Sequence, residues 1–289
     1  MITFKCLTSE DFDELYKCFL AAFSDYVVSM AVSREQFQQR LVRDGVDLAI
    51  SVAAFDKDEM VAFSLTASGE WQGLTTAYDS GTGVIPSHRG AGVGKNLFAY
   101  MFEVLRTRGV SHCLLEVIST NAPAVGLYEK LGFEHTRRLA VLLTDAKTDV
   151  KTVGDGKQFG FEVRKLTTFD WTTLSSFWDG NPSWQNAIDS VTRAKNYCRA
   201  IGAYDADRCI GYGIVYEPAG NLMQLAVHPN HRRKGVGSTI LRELQNELAA
   251  PLKVINIDYE LTDTLRFYES RGFKVVLDQF EMIKKLKNY

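Results

Sequence analysis

Apolar and polar residues follow one another along the chain in patterns that predict both helices and strands. Between residues 9 and 23 the apolar residues recur at helical spacing, which predicts an amphipathic helix with Ser9 as its N-cap. Two apolar runs, 48–55 and 60–67, are joined by the polar turn 56–59 and predict a pair of strands. The run 1–7 resembles an opening strand, so the chain is expected to begin with a strand, followed by a helix and a β-hairpin.

A second group of predicted elements surrounds a glycine-rich loop. A third strand is expected to end at Val84, and the helix that follows the loop is expected to end at Gly109. The run 112–119 predicts a buried strand, and 122–131 predicts a short helix ended by a glycine. This order of strands, helix, strand, helix and final strand predicts an α/β (α+β) fold, and the second half of the chain repeats it.

One sequence motif, V-x-P-x-H-R-x-x-G-V-G, occurs twice, beginning at Val84 and again at Val227. A second motif, a tyrosine followed by Gly-Phe, comes after each copy, at Tyr128 and at Tyr268. The two motifs recur in the same order, 143 and 140 residues apart, so chance is a poor explanation. The chain is therefore expected to contain two copies of one module.

The boundary between the copies is predicted from composition. The segment 146–159 is polar and contains two glycines, which is typical of a linker. We predict an N-terminal domain at 1–145 and a C-terminal domain at 160–289. The length of 289 residues agrees with this division, since a domain has roughly 150 residues.

The glycine-rich loops are the strongest candidates for ligand binding. Each follows a predicted strand and leads directly into a helix. Glycines let backbone N–H groups point into one concavity, and the helix N-terminus adds a partial positive charge. This arrangement suits a phosphate or pyrophosphate. The spacing matches neither the Walker A loop nor the dinucleotide fingerprint. The competing interpretation is a glycine-rich turn that only starts a helix, and the second copy argues against it.

The two motifs resemble those of the GNAT superfamily of acetyl-CoA-dependent N-acetyltransferases. Its hallmarks are R/Q-x-x-G-x-G/A between a strand and a helix, and a later strand followed by an Asn, a short helix with a Tyr, and Gly-Phe. The resemblance implies two tandem GNAT-type domains, each with a splayed mixed β-sheet flanked by helices and acetyl-CoA in the gap. The residues it assigns to the co-substrate are Val84, Arg89, Gly90, Ala91, Gly92, Val93, Gly94, Lys95 and Asn121, and Val227, Arg232, Arg233, Lys234, Gly235, Val236 and Gly237.

The resemblance also implies direct attack of a primary amine on the thioester. It makes Tyr128 the acid that protonates the thiolate, and Glu116 the base, as in ribosomal-protein N-terminal alanine acetyltransferases. Other roles stay open: Tyr128 could be an interface aromatic, Glu116 could pair with a cation, and Asn121 could cap the helix that follows it.

The second copy departs from the pattern. Tyr268 is kept as a catalytic candidate, but Asn256 stands where the first copy has Glu116, and Leu261 stands where it has Asn121. An amide cannot accept a proton as a carboxylate does. We therefore expect catalysis in the N-terminal domain, and a C-terminal domain that keeps its co-substrate loop with a partly degenerate catalytic set.

Substrate residues are expected in the first helices and early strands. The candidates are Asp25, Tyr26, Trp71, Tyr78 and Asp79. The aromatic and acidic groups could bind an amine through cation–π contact and charge. For Trp71, packing on the surface of a hairpin is an equally good interpretation. Nothing in the sequence separates a peptide amine from a small-molecule amine.

Composition narrows the remaining choices. The 33 Lys and Arg nearly balance the 35 Asp and Glu, which argues against a general nucleic-acid binder. Neither a membrane span nor a signal peptide is indicated, so a cytoplasmic protein is expected. The five cysteines and five histidines lack ligand spacing, so no metal is expected. A monomer or a homodimer is expected. Two other functions stay open: a non-catalytic acyl-CoA sensor or scaffold, and an acyltransferase that uses a different acyl-CoA.

Overall fold

The chain forms two units whose boundaries differ from the predicted domains. The computed structural model describes residues 1–28, 30–144, 160–248 and 251–286, so the predicted linker 146–159 lies outside the described residues. The first unit contains 1–136 together with 280–289, and the second contains 137–279. The predicted domains were continuous. In the structure, the end of the chain belongs to the first unit and 137–144 belongs to the second.

The first unit is built around a mixed sheet. The strands are β1 (Ile2–Cys6), β2 (Val52–Asp56), β3 (Glu59–Trp71), β4 (Leu74–Val84) and β5 (His112–Ile118). They follow the order β1-β2-β3-β4-β5 and are antiparallel except for the parallel pair β4 and β5. The last strand of the chain lies beside β5, and its residues from Phe280 onward belong to this unit.

Helices cover this sheet. They are α1 (Phe12–Ala22), α2 (Arg34–Asp44), α3 (Val93–Thr107) and α4 (Ala122–Lys130). The apolar faces of α1 and α3 are buried in one core with the sheet, and Phe19, Phe98 and Met101 are fully buried there. Gly83 allows close packing of α1, because a Cβ at this position would lie 2.9 Å from Cβ of Ala22.

Two details of the N-terminal region differ from the prediction. Thr8, not Ser9, is the cap: its side chain and that of Asp11 form a capping box around a short 3₁₀ turn, and α1 begins after it. The helix α2 was not predicted. It begins at a second capping box, formed by Ser33 and Gln36, and ends at Gly45, whose φ is 77°.

The second unit repeats the same order of elements. Its strands are β6 (Glu134–Thr144, from Arg137), β7 (Glu162–Lys165), β8 (Cys198–Asp205), β9 (Arg208–Tyr216), β10 (Asn221–Val227), β11 (Lys253–Asp258) and β12 (Phe273–Lys285, to Gln279). Its helices are α5 (Trp171–Ser175), α6 (Ile188–Arg193), α7 (Val236–Asn246) and α8 (Thr262–Glu269).

The sheet of the second unit runs in the order β6-β11-β10-β9-β8-β7. The pair β10 and β11 is parallel, and β6 pairs with β11 in the antiparallel sense. Ile240 and Leu244 of α7 are fully buried against it. The prediction of a mixed, helix-flanked sheet in each half of the chain is therefore confirmed.

Candidate active site

A gap opens in each unit where two parallel strands stop pairing. In the first unit β4 and β5 pair from Thr76 with His112 to Asp79 with Leu115, while both strands continue beyond these residues. In the second unit β10 and β11 pair at Asn221 with Lys253 and at Leu222 with Val254, and both strands continue beyond these residues. The unpaired backbone of β4 and β10 is therefore available to a ligand.

The glycine loop lies at the end of β4. Gly90 and Gly92 have φ values of 77° and 79°, in the left-handed region that favours glycine. Gly92 is the N-cap of α3 and supplies no side-chain cap, so the first N–H groups of the helix have no intrahelical acceptor. Gly90, Ala91, Gly92 and Lys95 are exposed, and Val93 is buried. This geometry suits an anion, and the assignment of these residues to the co-substrate stays a prediction.

The second loop keeps this backbone geometry. Gly235 caps α7 with a φ of 81°, and Arg233 has a φ of 62° at the position that corresponds to Gly90. Arg233 and Lys234 are exposed, and Val236 is buried. Gly237 lies against Phe267, as Gly94 lies against Leu127, so each loop is packed on the short helix of its unit.

The arginine at the start of each loop binds the protein itself. Arg89 donates to the carbonyl oxygens of Val84 (3.0 Å) and Ala22 (2.7 Å) and pairs with Asp25 at 2.7 Å. This hydrogen bond from Arg89 lowers the pKa of the Asp25 carboxyl. The guanidinium that was expected to contact phosphate, and the carboxylate that was expected to contact an amine, thus hold the loop to the end of α1.

Arg232 makes the same contacts in the second unit. It donates to the carbonyl oxygens of Val227 (3.0 Å) and Phe177 (2.9 Å) and pairs with Asp179 at 2.8 Å. The repetition indicates a structural role for this arginine in both loops.

Tyr128 lies on α4 and is 8% exposed. Its ring packs edge-on against Phe98 and Phe133, at centroid distances of 5.6 and 5.7 Å. Burial raises the pKa of Tyr128 well above its ordinary value, and the nearby Asp79 and Tyr26 add to the effect. Its hydroxyl forms no hydrogen bond with any residue the structure describes. The group is therefore protonated at neutral pH and able to donate.

Glu116 lies on β5, half-buried, and accepts a hydrogen bond from the hydroxyl of Tyr78 at 2.6 Å. Tyr78 lies on β4 and is 1% exposed. This contact leaves its expected cation–π role a prediction. The pair joins the two strands on one face of the sheet and orients Glu116.

Tyr26 and Asn121 lie together at the start of α4. Oδ1 of Asn121 accepts from the N–H of Ala124 at 3.3 Å, which makes Asn121 the N-cap. Its side chain also hydrogen-bonds the half-buried hydroxyl of Tyr26, although burial raises the pKa of Tyr26 overall. Tyr26 borders a cavity of about 440 Å³ whose other walls are largely apolar: Leu20, Phe23, Ser24, Met30 and Ala31.

Trp71 lies far from these groups. It pairs with Leu74 at the tip of the β3–β4 hairpin, across the turn Gln72-Gly73. Ten residues of strand separate Leu74 from Val84, or roughly 30 Å at about 3.3 Å per residue. The structure does not bring Trp71 to the site, and the hairpin interpretation fits its position.

Asp79 is 5% exposed and accepts from Thr82 Oγ1 (2.8 Å), the Gly81 N–H (3.1 Å) and Ser64 Oγ (3.3 Å). Burial raises its pKa to about 6. A raised pKa in the folded state means that the stability from this group is complete below the unfolded pKa and is lost as pH rises through 6.

We expect Asp79→Asn to gain stability relative to the natural protein by roughly 2.5 kcal/mol between pH 4 and pH 8, because the amide cannot ionise. Urea unfolding at both pH values measures this difference. Asp44→Asn is the control, and its stability relative to the natural protein should fall as pH rises. Burial opposes ionisation of Asp44, but Arg43 and Arg40 lower the pKa of its carboxyl overall. A pH-independent difference for Asp79→Asn would contradict the expectation.

The second unit places other residues at the corresponding positions. Leu222 stands in place of Asp79, and Gly180 with Leu261 stands in place of Tyr26 with Asn121; a Cβ on Gly180 would lie 3.1 Å from Leu261. Asn256 is 4% exposed in a strand irregularity, has a φ of 61°, and accepts from Gln279 at 2.7 Å.

Asn186 bridges the gap of the second unit. The side-chain amide of Asn186 donates to the backbone carbonyl of Ile255 on β11 at 2.9 Å. The backbone carbonyl of Asn186 accepts from the side chain of Gln224 on β10 at 2.7 Å. Tyr268 is 3% exposed beside Phe273, and burial raises its pKa. No carboxylate takes the place of Glu116 in this unit as far as it is described.

No group of three or more His, Cys, Asp or Glu side chains in 1–28, 30–144, 160–248 and 251–286 is placed to hold a metal ion. Within the same ranges, no helix combines the length and the apolar character needed to cross a membrane.

This fold and this pair of glycine loops define a class of acetyl-transferring proteins, and comparison with known proteins agrees. Residues 11–133 match the Acetyltransferase (GNAT) family, and 196–275 match the Acetyltransferase (GNAT) domain. The chain therefore belongs to the GNAT acetyltransferase family and carries two tandem GNAT domains, as predicted.

Individual relatives match shorter stretches. Streptothricin acetyltransferase of Streptomyces lavendulae is 32% identical over 31% of this chain and 47% of its own length. Mycothiol acetyltransferase of Nocardioides sp. is 30% identical over 44% of this chain and 47% of its own. The match thus spans about half the length of each relative. A solved tandem GNAT protein from the clavulanic acid biosynthesis pathway shares the fold, with a TM-score of 0.75, 13% identity and full coverage of both chains.

Proposed function

We propose that the protein transfers an acetyl group from acetyl-CoA to a primary amine, and that the transfer takes place in the first unit. The observation that carries this proposal is the combination, in one unit, of an anion-binding glycine loop, a strand gap, an oriented carboxylate and a protonated buried tyrosine. The second unit has the loop, the tyrosine and a strand gap that Asn186 bridges, but no described carboxylate in the place of Glu116.

Acetyl-CoA supplies a thioester whose acetyl group an amine can accept. The N–H groups of the first loop bind its pyrophosphate, and Lys95 adds a positive charge. Ile85 donates its N–H to the carbonyl of Val61 at 3.0 Å. Because antiparallel residues alternate, the amides of Thr82 and Val84 face the gap, where they can polarise the thioester carbonyl.

Glu116 accepts the proton that the amine must lose before or as it attacks, and Tyr78 holds the carboxylate in place. Tyr128 returns a proton to the sulfur as the carbon–sulfur bond breaks. The products are an N-acetyl amine and CoA thiol, so the proton lost by the amine is balanced by the one given to sulfur.

We propose that the amine binds beside the cavity bordered by Tyr26 and Phe23. Two relatives are named streptothricin acetyltransferase and mycothiol acetyltransferase, and these names support a small-molecule amine; a peptide amine is the alternative. The cytoplasmic location, a monomer or homodimer, and the absence of nucleic-acid and membrane partners stay predictions.

We further propose that the second unit binds a CoA ester without transferring its acyl group. Its loop geometry is preserved, whereas Asn256 replaces the base and Asn186 bridges the strand gap. The sequence left open a non-catalytic acyl-CoA-binding function, and we assign that function to the second unit alone.

Calorimetric titration with acetyl-CoA tests both assignments. Gly92→Glu places a carboxylate beside the pyrophosphate and is expected to weaken binding at the first loop by 100-fold or more, and Gly235→Glu to do so at the second. Gly92→Ala is the matched control, since a Cβ there meets nothing within 4 Å and the alanine adds only backbone strain.

Acetyl transfer is measured in parallel by release of CoA thiol with a panel of amines. We expect Gly92→Glu to abolish turnover and Gly235→Glu to leave it within two-fold. The reverse pattern would assign catalysis to the second unit. Absence of acetyl-CoA binding at both loops would refute the proposed function.

A further inference from the structure

A buried cluster of charged side chains lies at the end of α2. Asp44 is fully buried, and its two carboxylate oxygens accept from Nε of Arg43 at 2.7 Å and from Oγ of Ser80 at 2.6 Å. Arg40 donates from Nη2 to the backbone carbonyl of the same Ser80 at 2.8 Å. Two residues of α2 therefore hold both the side chain and the backbone of one residue of β4.

Ser80 is the extra residue of a β-bulge. On β3, Thr66 pairs with Asp79 and Leu65 pairs with Gly81, so Ser80 has no partner in the register. A bulge shifts the alternation of the backbone by one residue. It therefore decides which amides of β4 face β3 and which face the other side.

The hydrogen bonds on either side of the bulge show this shift. Before it, the carbonyl of Thr75 faces β5 and accepts from the N–H of Ser111 at 3.0 Å. After it, the N–H of Ile85 is directed to β3. Thr75 and Ile85 are an even number of residues apart, so in a strand without a bulge both would face the same neighbour. If Ser80 were paired regularly with β3 instead of bulged, Thr82 and Val84 would face β3 and could not reach the gap.

The second unit shows that such a bulge does not require charges. Its counterpart is Met223, which lies between the register positions Leu222 and Gln224. Met223 is 5% exposed in an apolar cluster, and its sulfur lies 3.8 Å from Sγ of Cys198. Buried ion pairs seldom stabilise a fold more than apolar packing does, so the charged cluster of the first unit calls for another reason.

We propose that Arg40 and Asp44 are positioning residues that fix the Ser80 bulge and so aim the amides of Thr82 and Val84 at the thioester carbonyl. The proposal rests on the proposed function of the first unit. It places Arg40 and Asp44 outside contact with acetyl-CoA. Their effect passes through the backbone of Ser80.

The experiment compares Arg40→Gln and Arg40→Lys with Arg34→Gln. Arg34 is on the same helix and pairs at 2.6 Å with the exposed Asp13, which makes it a matched control for loss of an α2 ion pair. Because the amides act on charge that develops during reaction, we expect Arg40→Gln to lower kcat by about 10- to 100-fold. The KM for acetyl-CoA should stay within about three-fold.

Arg40→Lys keeps a positive donor and should recover part of the lost kcat, and Arg34→Gln should match the natural protein. All assays are run well below the Tm of each variant. Unchanged kcat in Arg40→Gln would overturn the proposal, as would parallel losses in kcat and acetyl-CoA affinity.

A second measurement does not depend on activity. Gly83 and Ile85 face β3 after the bulge, so their amide hydrogen exchange reports whether the bulge is held. We expect at least ten-fold faster exchange in Arg40→Gln than in Arg34→Gln, with equal exchange in β2. Unchanged protection would overturn the proposal. Absence of acetyl transfer in the natural protein with altered exchange in Arg40→Gln would refute the proposed function alone.

Discussion

Replacing Tyr128 by phenylalanine is expected to lower kcat by about 100-fold or more while leaving acetyl-CoA affinity nearly unchanged. The hydroxyl is the group that protonates the leaving sulfur, and general acid catalysis of this kind contributes 10²–10⁴-fold. Since the hydroxyl bonds to no described residue, its removal leaves no buried partner unsatisfied, and stability should change by less than about 1 kcal/mol.

Tyr268→Phe is the matched control. Tyr268 occupies the same place in the second unit, is equally buried, and packs at 5.5 Å against the Phe of its own Gly-Phe pair. We expect its substitution to change kcat by less than two-fold. Steady-state kinetics with a good amine, together with calorimetry, separates the two variants. Equal losses in both would show that each unit contributes to turnover, and normal kcat in Tyr128→Phe would remove that tyrosine from the acid role.

A chain that ends at Gln279 is expected to lose the first unit as a folded structure. Residues 280–286 supply Met282 and Leu286 to its core, and both are almost fully buried. Leu286 donates its N–H to the carbonyl of Ser111 at 2.8 Å, and Glu281 accepts from Thr136. Loss of a large buried side chain costs about 2–5 kcal/mol, so two such losses approach the whole stability of a domain, about 5–15 kcal/mol.

Thermal unfolding and acetyl transfer measure this effect. In the shorter chain, the unfolding transition of the first unit and the acetyl transfer activity should both disappear. A chain that ends at Leu286 is the control and should keep both. Addition of a synthetic peptide with the sequence of 280–289 is expected to restore activity in part, because the missing strand is supplied from outside. Full activity of the shorter chain without the peptide would show that the strand is dispensable.

The features that could be predicted from sequence are those that local pattern encodes. The glycine loops, the strand with Glu116 and the short helix with Tyr128 each follow from residues close together in the chain. The helix α2 was missed because only three of its eleven residues, Phe37, Leu41 and Val42, are apolar. The capping box of Ser33 and Gln36 was the signal that could have revealed it.

The contacts that were not predicted depend on partners distant in sequence. A cation at the start of a glycine loop fits a phosphate as well as it fits carbonyl oxygens, and only the fold brings Ala22 to Arg89. The final strand was placed with its own half for the same reason. Its alternating residues suit either sheet, and the choice of neighbour is made by long-range pairing.

The position of residues 280–286 also has a consequence during synthesis. Roughly 145 residues separate Thr136 from Phe280, and their synthesis takes roughly 7–30 s at about 5–20 residues per second. Throughout that time the nascent amino-terminal half lacks the strand beside β5 and exposes an open sheet edge, a target for chaperones and for aggregation. The half that is translated first is therefore the last to be completed.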